Sequence, residues 1–179
     1  MLRVVAGKYK GRKLNAPEGE HTKPTKDMVK EALFSSLGSL YGKSFLDLFS
    51  GSGSIGIEAL SRGAESATFV DNSSEAYQVI KNNLQAVGEE QNVQNSDVIS
   101  FLSQAKESYD IVFLDPPYHF ENIAKLFELL HSGILKTNSV VVYESAADEK
   151  IEEFAAGFEL IKEKKYGITK LFYFKEEEN

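Results

Sequence analysis

The chain has 179 residues, 42% hydrophobic and 26% charged, a balance that suits one globular unit with a buried core. It lacks cysteine, which excludes disulfides, a thiol nucleophile and a cysteine metal site; His21, His119 and His131 are too scattered for a zinc set, so no metal is expected. The net charge is −7, yet residues 1–30 hold eight Lys/Arg and three acids, so a basic arm (+5) precedes an acidic body (−12).

Arg3 arrives too soon for a signal peptide. No apolar run approaches the ~20 residues of a membrane helix, so the expected location is the cytoplasm. Leu2 to Leu14 alternates loosely around Gly7 and Gly11, which predicts a small β-hairpin with Lys8, Lys10, Arg12 and Lys13 at its tip. Such a cluster suits a polynucleotide backbone; the plainer reading is a solvated basic hairpin. Residues 16–24 read as a linker. Thr25 is placed to cap a helix over residues 26–40, with Asp27 in its first turn and an apolar face of Met28, Ala32, Leu33, Leu37 and Leu40. Lys23, Lys26 and Lys30 cluster around its start.

Phe45 to Phe49 reads as a buried strand. Gly51, Gly53 and Gly56 then match G-x-G-x-x-G, and an apolar helical pattern runs to about Arg62, with Gly63 as its stop. In such a junction Gly51 supplies a tight turn, Gly53 lets a ligand approach the backbone, and Gly56 lets the helix sit close on the sheet. Ser66 to Asp71 is a second strand. Asp71 lies 20 residues after Gly51, where a carboxylate would meet ribose hydroxyls; otherwise it caps a helix. Glu75 to Val87 is an amphipathic helix, and Asn92 to Asp97 a weak third strand. Asp97 either holds an adenine amino group or caps the helix that Val98 opens.

Tyr109 to Leu114 is a fourth buried strand, running into Asp115-Pro116-Pro117-Tyr118. Two prolines end sheet pairing abruptly and stiffen the backbone at the edge where open α/β sheets bind ligands. The Asp115 carboxylate and the Pro116 carbonyl are two acceptors beside the Tyr118 ring. That set suits a planar group bearing NH₂, held by its two hydrogens and stacked as a flipped-out base. Further on, Glu121 to Leu130 is a helix, Ser139 to Ser145 a strand, and Lys150 to Ala156 a short helix. Phe158 to Lys165 and Thr169 to Phe174 form a hairpin turning at Gly167. Glu176 to Glu178 is a solvated tail. The whole is expected to be one catalytic unit, with residues 1–24 as appendage, 25–175 as α/β core and 176–179 as acidic tail.

Phe45 to Gly56 resembles motif I of class I S-adenosylmethionine-dependent methyltransferases, and Asp115 to Tyr118 their amino-group motif. Arg3 to Leu14, Lys23-Pro24-Thr25, Lys30 to Phe34, Leu46 to Gly53, Glu58 to Ala64 and Asp115 to Tyr118 occur in that order in the bacterial 16S rRNA guanine-N2 methyltransferases of the RsmD type. The chain has Lys23 and Lys30 where that family commonly has Arg, and Asp71 where it commonly has Glu. The resemblance implies a Rossmann-like sheet of seven mostly parallel strands, order 3-2-1-4-5-7-6, with helices on both faces. It implies S-adenosylmethionine against Asp47, Phe49, Ser50, Gly51, Gly53, Asp71, Asn72, Asp97 and Val98, with Asp115, Pro116, Pro117 and Tyr118 holding a guanine N2 (the guanine-966 type). Arg3, Lys8, Lys10, Arg12, Lys13, Lys23, Thr25 and Lys30 would grip 16S rRNA, within a small ribosomal subunit or its precursor. Methylation at adenine N6 or cytosine N4, an NAD(P) oxidoreductase and a non-catalytic RNA-binding protein are the competing readings.

Overall fold

A computed structural model describes residues 1–19, 25–118, 120–150 and 155–178. In chain order it has α1 (Thr25–Leu37), β1 (Ser44–Leu48), α2 (Ser54–Ser61), β2 (Ser66–Asp71), α3 (Ser74–Val87), β3 (Asn92–Asn95), α4 (Val98–Gln104), β4 (Tyr109–Leu114), α5 (Ile123–His131), β5 (Leu135–Ala146), β6 (Phe158–Tyr166) and β7 (Thr169–Glu176). The strands form one sheet in the order β3-β2-β1-β4-β5-β7-β6, as the resemblance implied. Pairings from β3 to β5 are parallel, and β7 runs antiparallel to both β5 and β6.

β1 and β4 lie inside the sheet with helices on both faces, so they read as continuous apolar runs. Alternate residues feed two cores. Phe45, Phe69, Ile111 and Phe113 face Leu33, Phe34, Ile57, Leu60, Ile80 and Leu84 of α1–α3. Leu46, Leu48, Val70, Val112 and Leu114 face Val98, Leu102, Leu126, Phe127 and Leu130 of α4 and α5. Gly56 has a packing role: a Cβ there would fall 2.7 Å from Phe69 Cζ and closer still to Cε1, so α2 can rest on β2 only without one.

Several expectations change. The N-terminal hairpin is reduced to one antiparallel bridge, Arg3 to Lys13, with no strand on either side. Its loop does not project from the body: Leu2, Val4 and Leu14 are buried in the first core, and Lys8 N donates to Ser61 O at 2.8 Å. Met28 is exposed, and Val29 takes its place in the core. α1 stops at Leu37, where Gly38 adopts a φ of 72°. Glu176 belongs to β7 rather than to a tail, pairing in register with Phe158 and meeting His131 Nδ1 at 2.8 Å. The short helix expected over residues 150–156 falls largely outside the described residues, as do Lys23 and Pro24.

Candidate active site

Because β1, β2 and β4 are parallel and in register, their carboxyl ends open on one edge. The first wall is the turn after β1. Phe49, expected as the last strand residue, has a φ of 61°. That region is uncommon for a non-glycine side chain and is found disproportionately at functional sites. Ser50 then ties two strand ends together. Its Oγ donates to Asp47 O at 2.6 Å and accepts from Val70 N at 3.0 Å, while its own N–H donates to Val70 O at 3.0 Å.

Gly51 has a φ of 56°, and its N–H donates to Asp71 Oδ2 at 2.9 Å; Ser73 N donates to Asp71 Oδ1 at 2.9 Å. The Asp71 carboxylate is therefore fixed by two amides. A carboxylate has about four lone-pair sites, so it retains acceptor capacity. Gly53 caps α2 with a φ of 77°. A Cβ there would press on Ile80 at 3.2 Å, so conformation and packing, not only ligand approach, call for glycine. Ser54 Oγ is buried with no hydrogen-bond partner among the described residues. Asp47, 1% exposed, accepts from Gly56 N through Oδ2 at 3.1 Å and so pins the first turn of α2 to β1.

Asp97 is the N-cap of α4, accepting from Ser100 N at 3.0 Å. Of its two sequence readings the cap is realised, and the cap leaves acceptor capacity on the same carboxylate. The Val98 side chain is in the core, and Asn72 is exposed beside Asp71.

The second wall follows β4. Asp115, Pro117 and Tyr118 are exposed, Tyr118 by 85%, and Pro116 is half-buried. Pro117 O accepts from Phe120 N at 3.0 Å. The Phe120 ring meets Phe49 edge-on, centroids 5.0 Å apart. This contact joins the glycine turn to the Asp-Pro-Pro-Tyr segment. Beneath lies Tyr143, paired in register with Leu114 and donating to Glu149 Oε1 at 2.8 Å. Burial, then the Glu149 hydrogen bond and the negative charges of Glu149 and Asp115, push its ionisation upward, so it stays a neutral phenol.

Phe120 and Asn83 are residues bracing this edge that sequence reasoning missed. Asn83 Nδ2 donates to Ser52 O and Asn15 O, both at 2.9 Å, bracing the glycine turn from α3. One signal was available: Asn83 is a polar residue three positions after Ile80, on the apolar face of an amphipathic helix.

The basic residues divide. Lys10, Arg12 and Lys13 are exposed; Arg3 meets Asp27 at 3.2 Å, and Lys8 meets Glu89 at 3.1 Å. Lys30 does not face solvent as expected. It is 3% exposed, with Nζ donating to Arg3 O at 2.9 Å and 3.7 Å from Glu58 Oε2. Burial pushes its ammonium pKa down, against the pull of Glu58. Thr25 opens α1, but its side chain lies outside the described residues. No group of three metal-ligating side chains occurs among the described residues. A groove of about 320 Å³ between β3 and α4, lined by Asn92, Gln94, Phe101 and Tyr109, contains none of the site residues above.

The family model described as conserved hypothetical protein 95 matches residues 2–175. The chain belongs to that family. It is 37% identical to the ribosomal RNA small subunit methyltransferase D of Haemophilus influenzae, covering 94% of this chain and 90% of the relative, and 34% identical to that of Escherichia coli (93% and 85%). Among solved structures, a putative methylase from Haemophilus influenzae superposes with a TM-score of 0.82 at 34% identity, covering 99% of each chain. A more distant putative methyltransferase crystallised with SAH shares the fold (TM-score 0.72, 19% identity, 86% of this chain and 50% of that one covered).

Proposed function

We propose that this protein methylates the exocyclic N2 of a guanine in 16S rRNA, using S-adenosylmethionine. The observation that carries the reading is the joining of the glycine turn and Asp115–Tyr118 at one sheet edge through Phe49 and Phe120. The names of the curated relatives, small-subunit rRNA methyltransferases, support the substrate class, and the SAH-bound fold neighbour supports the cofactor class.

The residues present fit that cofactor. In the turn from Ser50 to Ser54 a buried hydroxyl (Ser54) lacks a protein partner among the described residues. Asp71 is aimed and held by two amides, with acceptor capacity for a ribose diol. Asp97 would take the adenine amino group beside Val98 and Asn72. S-adenosylmethionine, when bound, supplies an activated sulfonium methyl group.

The remaining work is orientation. Asp115 and the Pro116 carbonyl accept the two amino hydrogens and aim the nitrogen lone pair; the prolines hold both acceptors still. Tyr118, standing in solvent, stacks on the extruded base. The nitrogen so aimed would take the methyl group that the bound cofactor supplies, and the amino proton it gives up would pass to the Asp115 carboxylate or to water. Lys10, Arg12 and Lys13 contact RNA phosphates, and the enzyme works in the cytoplasm, on small-subunit particles. The test is methylation of small ribosomal subunits lacking the modification, with the product base identified by mass spectrometry. N2-methylguanine in 16S rRNA is the expected product. Methyl transfer only to DNA, or only to adenine or cytosine, would overturn the substrate assignment.

A further inference from the structure

The basic arm is bolted to the same helix that begins at the cofactor turn. Glu58, on α2, is fully buried (0% exposed). Its Oε2 accepts from Val5 N and its Oε1 from Ala6 N, both at 2.9 Å. Arg62 Nε lies 3.0 Å from Oε1, and Lys30 Nζ from α1 stands 3.7 Å from Oε2 while donating to Arg3 O. Arg62 reaches on to Glu31 of α1 at 2.9 Å.

One turn later Ser61 repeats the grip. Its Oγ donates to Ala6 O at 2.6 Å and accepts from Tyr9 N at 3.0 Å, and its carbonyl accepts from Lys8 N. Gly7 permits this approach: it has a φ of 83°, and a Cβ there would strike the Ser61 backbone and lie 2.7 Å from Ser61 Oγ. Buried carboxylates are retained only where paired and hydrogen-bonded, as this one is on every side. At its other end α2 is fixed by Gly53, Gly56 and Asp47.

We infer that Glu58 is a positioning residue for the nucleic-acid substrate: it holds the arm bearing Lys10, Arg12 and Lys13 at a fixed place relative to the cofactor turn. The inference rests on the proposed rRNA reading. Misplacing a bound group by about 1 Å can cost on the order of 100-fold in rate. An arm swinging from α2 would lose that registration and leave cofactor binding intact.

The test uses the full chain, with Glu58→Gln and, separately, Gly7→Ala. The first keeps size but replaces one accepting oxygen with an NH₂ group. The second pushes the arm off Ser61 without touching the buried charges, and decides the matter if Glu58→Gln does not fold. Amide hydrogen exchange at Val5 and Ala6 should accelerate while β1 amides stay protected. The KM for small-subunit RNA should rise about tenfold or more, with S-adenosylmethionine affinity within about twofold of the parent. Faster exchange with an unchanged RNA KM, unchanged exchange in the folded variants, or an equal loss of cofactor affinity would each overturn the role. If the parent itself methylates no rRNA, the functional reading fails instead.

Discussion

Gly56→Ala is the most direct probe of how the site is built. Gly56 lies in α2, where alanine on its own would gain up to about 1 kcal/mol over glycine. The new Cβ, however, would stand 2.7 Å from Phe69 Cζ, closer to Cε1 and 3.1 Å from Cδ1. Phe69 is 0% exposed in the first core and has no open space to enter. Overpacking of this kind costs about 1–3 kcal/mol, and a contact so far inside van der Waals range belongs at the upper end. The net expectation is a loss of about 2 kcal/mol. For a chain of this size that lowers Tm by roughly 4–8 °C. Denaturant titration followed by circular dichroism measures it, and calorimetry measures cofactor affinity, which should weaken as the first turn of α2 lifts off β1. Adding Phe69→Leu should recover part of the stability, because the two positions share one space. A Gly56→Ala variant as stable as the parent would refute the packing argument.

Asp115→Ala should lower methyl transfer by about 100-fold or more, because a preorganised acceptor at the reacting nitrogen is lost, while calorimetry shows near-parental cofactor affinity; unchanged turnover would remove Asp115 from its role. Replacing Lys10, Arg12 and Lys13 with alanine should flatten the slope of log affinity against log salt by about 2–3, the share of three phosphate contacts, as measured by filter binding across a salt series. Acid stability offers a third test. Burial raises the Asp110 pKa, but the Ser44 amide and hydroxyl and the Lys136 ammonium outweigh it and hold it below the usual value. Its folded value is depressed, so its contribution is present above the ordinary carboxylate range and lost as pH falls through the folded value. Asp110→Asn should therefore cost about 1 kcal/mol at neutral pH and flatten the decline below about pH 4, seen in denaturant midpoints across pH; an unchanged acid limb would count against it.

Much of this protein is legible in the sequence because its information is local. A buried parallel strand has apolar residues on both faces, so Phe45–Leu48 and Ile111–Leu114 stand out without knowledge of their neighbours. Turn chemistry is equally local: the positive φ at Gly51 and Gly53 is required by the chain itself, and Pro116-Pro117 ends β4 wherever it lies. Tertiary structure decided what depends on distant partners. Lys30 reads as a surface cation until Arg3 and Glu58 close over it, and the N-terminal hairpin reads as a projecting arm until Glu58 and Ser61 take up its amides. Phe49 reads as the end of a strand until Phe120, 71 positions later, packs against its left-handed turn. Hydrophobic period and turn residues are properties of neighbours along the chain. Which charge is buried, and which two loops meet, follows only when the sheet brings remote segments to one edge.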